Sequence, residues 1–275
     1  MKIAFCFLSY GDIEHQTVWI PFFSQGTQHA VFLHRADGLQ TSTVPGCIVV
    51  PPIKTAWGTF SLLQAQQIMF EAAHKDPEIT KFVILSGDSI PLYTFPNVHA
   101  KLTQDDKGYM RRIADLAPVM TTEKKIDTGA WPAEKPWNGL FISQWVVLNR
   151  THVELLRENW AMLQAVFQHA AIPDEYMYYI FFSGFGHMDS FHPSSHMYVS
   201  HAKRVVRCEL NHHITPMTYH RPNLTPSDVD RMYRTECLFL RKVCPKTKVY
   251  MDWTKQRPLR DNGARAMMNM VRNRR

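Results

Sequence analysis

The stretch KFVILSGDSIPLY, residues 81–93, is an apolar run that ends on Ser86, Gly87 and Asp88 and then meets Pro91. A carboxylate brought to the surface by a buried strand can hydrogen-bond a ligand or orient a cation. With Ser89 it can equally cap the turn before the proline. Two further patterns carry metal-binding residue types. The only Asp-x-Asp, Asp228-Val-Asp230, follows Thr225-Pro-Ser at a helix start, which reads as capping. His187, His192, His196 and His201, in HMDSFHPSSHMYVSH, lack a metal-ligand spacing. In IPDEYMYY, Pro173 suits a first helical position, and Asp174 and Glu175 suit the first turn, where the helix dipole stabilises carboxylates.

Asp88 needs strands to position it, and the apolar runs supply them. KIAFCFLS from Lys2, AVFLH from Ala30, CIVVP from Cys47 and KFVILS from Lys81 are continuous rather than alternating, the pattern of strands buried on both faces of a mostly parallel sheet. Between the third and fourth, residues 59–76 place Leu62, Leu63, Ile68, Met69 and Ala72 at helical spacing. Strand, helix and strand in succession make an α/β fold. A further strand is expected in 140–149, and helices in 151–169 and 174–182. In open α/β sheets ligands bind beyond the carboxyl ends of the strands, which gathers the loops starting at Ser9, His34, Pro51 and Ser86 around one crevice with Asp88 at its rim.

With 275 residues, 45% apolar and 12% aromatic, the chain can fill a sizeable core, and no repeat or low-complexity linker divides it. The formal charge is +7, part of it in a tail where Arg265, Arg272, Arg274 and Arg275 have no acidic neighbour. That tail lacks the interleaved aromatics of a nucleic-acid site, so nucleic acid is not the expected partner; a basic nucleic-acid-binding protein is kept as an alternative. Cys6, Cys47, Cys208, Cys237 and Cys244 are odd in number and form no CxxC, which favours reduced thiols and a cytosolic-type compartment. The N-terminal apolar run is too short to span a bilayer and no cleavage pattern follows, so a soluble protein without a membrane anchor is expected. On that reading the sequons at Asn149 and Asn223 are idle.

Four blocks in order make the sequence specific: residues 55–95, SQWVVLNR at 143–150, IPDEYMYY at 172–179 and CLFLRKVCP at 237–245. Together they resemble the core-2/I-branching enzymes, glycosyltransferase family 14, most of all its plant-like branch. The resemblance implies a GT-A-type, Rossmann-like fold with a mostly parallel sheet flanked by helices. It also implies a UDP-sugar donor, inversion at the anomeric carbon, and a glycan or glycoprotein acceptor, with no metal ion or other cofactor. One such domain over 1–262 is expected, with a donor half to about 115, an acceptor and catalytic half beyond it, and a basic tail at 263–275. The absence of an anchor, a stem and paired cysteines suggests a soluble enzyme of microbial or viral type. Xylose or N-acetylglucosamine is the expected sugar; a catalytically silent member that binds glycans or nucleotides is the other alternative.

The family carries roles to particular positions. Its catalytic Glu lies in the Pro-Asp-Glu block, which implies Glu175 as general base with Asp174 capping or supporting on the acceptor side. One Arg and one Lys replace the metal beside the leaving diphosphate. Lys242 matches the Lys; Arg221 has about the right separation for the Arg, with Arg207 or Arg204 as fallbacks. Without the family, Arg241 and Lys242 read as a solvated helix end. Relatives hold uridine with the ends of the first two strands and the Trp block, implying donor contacts by Ser9, Tyr10, His34, Arg35, Asp37, Trp57, Thr59 and Gln64. Gly87 and Asp88 are expected to approach the donor sugar. Acceptor contacts are expected from Ser143 and Trp145, and Trp131, Glu134 and Trp137 offer further groups nearby.

Overall fold

The computed structural model describes residues 1–111, 143–199, 237–247, 249 and 251. Strand β1 (Lys2–Ser9) leads through helix α1 (Gln16–Phe23) to β2 (His29–Arg35), β3 (Cys47–Val49), α2 (Ser61–His74), β4 (Ile79–Ser86), β5 (Ile90–Pro91), α3 (Phe95–Leu102) and β6 (Gly108–Tyr109). Then come β7 (Val147–Asn149), α4 (Arg150–Glu158), α5 (Trp160–Phe167), a 3-10 turn at Pro173–Glu175 and α6 (Met177–Gly184). A second 3-10 turn (Met188–Ser190), β8 (Phe191–His192), β9 (Met197–Val199) and β10 (Phe239–Arg241) complete the described elements.

The main sheet runs β3-β2-β1-β4-β7-β6-β8. Its β3-β2-β1-β4 part is parallel throughout, in the four places where continuous apolar runs predict it. Beyond β4 the sheet is mixed: β7 runs antiparallel to β4 and β6, while β8 is parallel to β6. The α/β fold with a mostly parallel sheet is therefore present. Successive side chains of β1 point to opposite faces. Phe5 packs against Phe22 and Phe23 of α1, Phe95 of α3 and Phe239 of β10, and Phe7 meets Trp19 at 4.9 Å. Helix α2 lies against β1, β2 and β4, with Phe70 edge-on to Phe82.

Three expected elements differ in detail. The strand over 140–149 is paired only at Val147–Asn149, and residues 140–142 lie outside the described residues. The helix over 151–169 is two helices, because Asn159 closes α4 through its side-chain amide, which donates to Leu155 O at 2.8 Å, and α5 starts at the next residue. The helix at 174–182 begins later, at Met177, after the 3-10 turn. Residues 239–241 are a strand, not a solvated helix end. They form the middle of a small sheet β5-β10-β9, antiparallel to β5 and parallel to β9, with Phe239 and Leu240 fully buried. Short strands of this kind are specified by partners far away in sequence, which local pattern does not carry.

Asn149 closes β7 and opens α4. Its side chain accepts from His152 N–H at 2.8 Å while His152 Nδ1 accepts from Asn149 N–H at 3.2 Å, a reciprocal capping box. The amide nitrogen donates to Asp106 O at 2.7 Å and the residue is buried, so the Asn149 sequon is sequestered. No helix among the described residues is long and apolar enough to cross a membrane.

Burial is the main reason that His152 sits at about 3 and His196 at about 4, well below the ordinary histidine value. Both are neutral when folded, whereas an unfolded chain protonates them near about 6.5. Their contribution to stability is thus complete above about pH 6.5 and is lost as pH falls toward the folded values, at up to about 1.4 kcal/mol per pH unit for each. Melting temperatures measured from about pH 7 down to about 4.5 should fall steeply for the wild type. His152→Gln should start lower through the weakened cap and decline less; an unchanged slope would count against this role for His152.

Candidate active site

The crevice beyond the sheet is organised by the turn that follows β4. Gly87 N–H donates to Leu8 O at 3.2 Å, and Gly87 O accepts from Glu14 N–H at 2.9 Å. A Cβ on Gly87 would lie 2.7 Å from Ser9 Cβ and closer still to its hydroxyl, so only glycine lets β4 end this close to β1. The glycine here admits another strand end, in addition to any ligand. Ser89 donates its hydroxyl to Ser86 O at 2.6 Å, and Trp19 Nε1 donates to Ser89 O at 2.8 Å, which pins the turn to α1. Asp88 O accepts from Val243 N–H at 2.9 Å, tying the turn to the chain just past β10.

That last bond delivers Arg241. Its Nε donates to Ser86 Oγ at 3.0 Å, and Ser86 Oγ in turn donates to Asp88 Oδ1. Asp88 Oδ1 is also 3.5 Å from Arg241 Nε, and the guanidinium carbon lies 4.5 Å from the Trp145 ring centroid. Arg241 is thus held between a carboxylate and an aromatic face, a cation–π arrangement worth more where water is excluded. Burial lowers its pKa, and Asp88, Glu175 and Asp174 pull it back in that order; an Arg stays charged in any case. Lys242 is half-buried beside it, lowered by burial and then by the Arg241 charge, with Asp88 opposing. Trp145 is buried, and its place is fixed from behind: Gln66 of α2 donates to Gln144 Oε1 at 3.2 Å and accepts from the Tyr178 hydroxyl of α6.

The acids reach the same place through a constrained corner. Ile172 has φ 55°, a left-handed conformation costly for a β-branched residue, and its N–H donates to Gly58 O at 2.8 Å. Gly58 has φ 71°, and a Cβ there would come within 3.3 Å of Ile172 Cγ1. The Trp57–Gly58 loop and the Pro-Asp-Glu block therefore fix one another. Asp174 is buried, its Oδ1 has no hydrogen-bond partner among the described residues, and burial raises it to about 6 against the pull of Arg241. Glu175 is half-buried, at the more accessible of the two positions.

The other expected site residues are distributed unevenly. Ser9 lies under Gly87, and its hydroxyl donates to Asp12 O at 3.3 Å. Tyr10 and Trp57 are 80% and 81% exposed, so neither is a core aromatic. His34 is fully buried, its Nε2 accepting from Ile53 N–H at 3.1 Å, which places its ring beneath the crevice surface. Arg35 donates to Asp37 at 2.6 and 3.0 Å and to Thr41 O, and this pairing holds the Asp37 carboxyl below its usual range. Thr59 donates to Ala56 O at 2.9 Å, Gln64 is half-buried in the first turn of α2, and Ser143 Oγ accepts from Trp145 N–H at 3.3 Å. Of the histidines, His196 is buried with Nε2 3.3 Å from Ile84 O and His192 pairs with Asp105 at 2.9 Å, so they serve separate sites. Among the described residues no three His, Cys, Asp or Glu side chains are grouped to hold a metal. Arg221, Arg204, Arg207, Trp131, Glu134, Trp137, Asp228, Asp230, His201, Cys208, Asn223, the boundaries at 115 and 262 and the basic tail lie outside the described residues.

Glu14 and His15, which no pattern in the sequence marks, join the site. Burial and the neighbouring Asp88 raise Glu14 to about 7, and His15 Nε2 lies 3.2 Å from Val243 O.

Comparison with known proteins adds what geometry alone does not. A family model described as Core-2/I-Branching enzyme matches residues 3–233. The rice protein named Glycosyltransferase BC10 (Oryza sativa subsp. japonica) is 25% identical over 177 residues, which are 61% of this chain and 43% of that protein, so the chain spans less than half the length of this relative. Among solved structures, the apo form of mouse xyloside xylosyltransferase 1 is 12% identical with a TM-score of 0.33, covering 86% of this chain and 97% of that one. A197 from STIV is 11% identical with a TM-score of 0.29, covering 56% and 68%. Both scores are low.

The contact between Gly87 and Ser9 is open to a direct check. Gly87→Ala should destabilise the fold by about 1–3 kcal/mol through overpacking. Ser9→Gly should recover part of that loss in the double variant, a coupling readable by denaturant titration. Additive effects of the two changes would show that the turn does not depend on this approach.

Proposed function

The chain belongs to the Core-2/I-branching enzyme family, and from that premise we propose that it is an inverting glycosyltransferase, on a GT-A-type fold, that moves a sugar from a UDP-sugar to a hydroxyl of a glycan or glycoprotein. The observation that carries this reading is the Arg241 guanidinium, held at the strand-end crevice between Trp145 and Asp88 and within the electrostatic reach of Glu175 and Asp174. Transfer with inversion forms a bond from the acceptor oxygen to the anomeric carbon as the bond from that carbon to the diphosphate oxygen breaks. The acceptor proton must leave to a base, and the UDP oxygen gains negative charge.

Glu175 is the base in this reading. It is the more accessible acid of its block, whereas buried Asp174, raised toward neutrality, supports the corner and feels the Arg241 charge. Arg241 and Lys242 take the charge on the departing UDP. Adjacent in sequence and both drawn to Asp88, Arg241 and Lys242 form one pair of cations, and Arg221, outside the described residues, stays the other candidate partner of Lys242. Asp88 then orients the guanidinium through Ser86 rather than serving as a metal ligand, and no metal is required. The exposed aromatic and hydroxyl groups of Tyr10, Trp57 and Thr59 remain candidate donor contacts, and Ser143 and Trp145 candidate acceptor-side groups. Xylose and N-acetylglucosamine are the donors to try first.

UDP release from a panel of UDP-sugars, with chelator present, tests the whole scheme. One donor should be turned over without added metal, and Glu175→Gln should lower the rate by about 100- to 10,000-fold. Arg241→Lys keeps the charge but loses the planar fork and its stacking, and should cost about 100- to 1,000-fold in kcat with the fold intact. Loss of turnover on chelation with rescue by manganese would overturn the metal-free scheme, and full activity in Arg241→Lys would remove Arg241 from it.

A further inference from the structure

The chain that carries Arg241 and Lys242 leaves β10 at Val243, and both polar groups of that residue's backbone are held. Val243 N–H donates to Asp88 O at 2.9 Å, and Val243 O lies 3.2 Å from His15 Nε2. The two partners are themselves joined, because Glu14 N–H donates to Gly87 O at 2.9 Å. The turn after β4, the loop before α1 and the chain after β10 therefore close a ring of hydrogen bonds in which the His15 imidazole supplies the one side-chain link. A carbonyl only accepts, so a neutral ring in this place carries its proton on Nε2 and leaves Nδ1 as acceptor. Burial is the main reason that His15 lies below the ordinary histidine range, with Val243 and Asp88 opposing, and the neutral form prevails at pH 7.

The backbone of His15 is bent to allow this. It has φ 50° and ψ 41°, the left-handed region that residues other than glycine seldom occupy. Its carbonyl opens α1, accepting from Val18 N–H at 2.8 Å and Trp19 N–H at 3.1 Å. A glycine would start the helix in the same conformation without strain. A side chain retained at a strained position points to a task for that side chain, and the hydrogen bond that the imidazole makes is the one to Val243.

We propose that His15 is a positioning residue whose imidazole clasps the Val243 carbonyl and so fixes the chain that brings Arg241 and Lys242 to the crevice. The assignment rests on the transferase reading for what the two cations do, and on the ring of hydrogen bonds alone for how they are held.

Three variants test it. In His15→Gln the amide nitrogen stands where Nε2 does, in His15→Asn it reaches only as far as Nδ1, and His15→Gly removes the group while relieving the backbone. The glycine variant should melt within about 4 °C of the wild type, because that relief offsets the lost bond. The Arg241 Nε–H, which donates to Ser86 Oγ at 3.0 Å, gives a nitrogen–proton signal that Arg241→Lys assigns. Its exchange with water should quicken about tenfold in His15→Gly and His15→Asn and stay near the wild-type rate in His15→Gln. The Kd for UDP, measured by calorimetry with chelator present, should rise about tenfold in the same two variants and recover in His15→Gln. An amide takes up no proton, so that recovery separates a held bond from proton transfer by His15. Equal Arg241 exchange in all four proteins, or a His15→Gln as impaired as His15→Gly, overturns the clasp; a fall in melting temperature shared by all three variants makes His15 a folding residue and overturns it too. Faster exchange with unchanged UDP affinity supports the clasp and counts against the diphosphate role of the cations. If the wild type binds no UDP, the transferase reading falls while the Arg241 signal still decides the clasp.

Discussion

Everything in the crevice depends on how closely the end of β4 approaches the end of β1. The absence of a side chain at Gly87 lets the two parallel strands finish side by side over Ser9, and the turn that results presents backbone groups in three directions. One fixes the loop carrying Glu14, one fixes α1 through Trp19, and one fixes the chain that brings Arg241 and Lys242. Asp88 therefore works at two levels. Its carbonyl positions the backbone after β10, and its carboxylate, with Ser86, aims the guanidinium that the same backbone carries.

A guanidinium kept from water needs compensation, and the compensation here comes from several acids at unequal distances. Asp88 shares a hydrogen-bonded serine with it, while Asp174 and Glu175 act through space. The unevenness has a chemical use. Burial raises both Asp174 and Glu14, which holds a proton within reach of neutral pH at two points of the crevice. Carboxyl groups perturbed in this way by burial cluster at functional sites. The aromatic face of Trp145 stabilises the guanidinium without neutralising it, leaving its positive charge at the crevice.

The parallel half of the sheet was legible because burial on both faces writes itself as uninterrupted apolar letters in KIAFCFLS and KFVILS. Helix α2 was legible by its period, and the general place of Asp88 by the rule that ligands meet strand ends. What local pattern could not show depended on distant contacts. Phe239–Arg241 is too short to declare itself a strand, and its direction is set by Ile90–Pro91 and Met197–Val199. Arg241 thus reads as a solvated residue until its partners, Ser86 and Trp145, are seen to be brought to it. Glu14 is a polar residue in a loop by sequence, and its half-buried place beside the turn shows only with the Gly87 bond. His34 illustrates the opposite difference: a strand-end residue by position, it is turned inward to accept from Ile53.

Ser86 and Arg241 are separated by 155 residues of chain. During synthesis at about 5–20 residues per second, the β1–β4 half is complete roughly 8 to 30 s before the guanidinium leaves the ribosome. Throughout that interval the growing polypeptide can close the parallel part of its sheet and the Gly87 turn, yet it presents Asp88, and after residue 175 the Pro-Asp-Glu corner as well, without Arg241 and Lys242. Such a nascent chain carries the acids of the crevice before the cations that offset them. Arg241 and Lys242 reach the crevice in one late docking event, when β10 slots between β5 and β9.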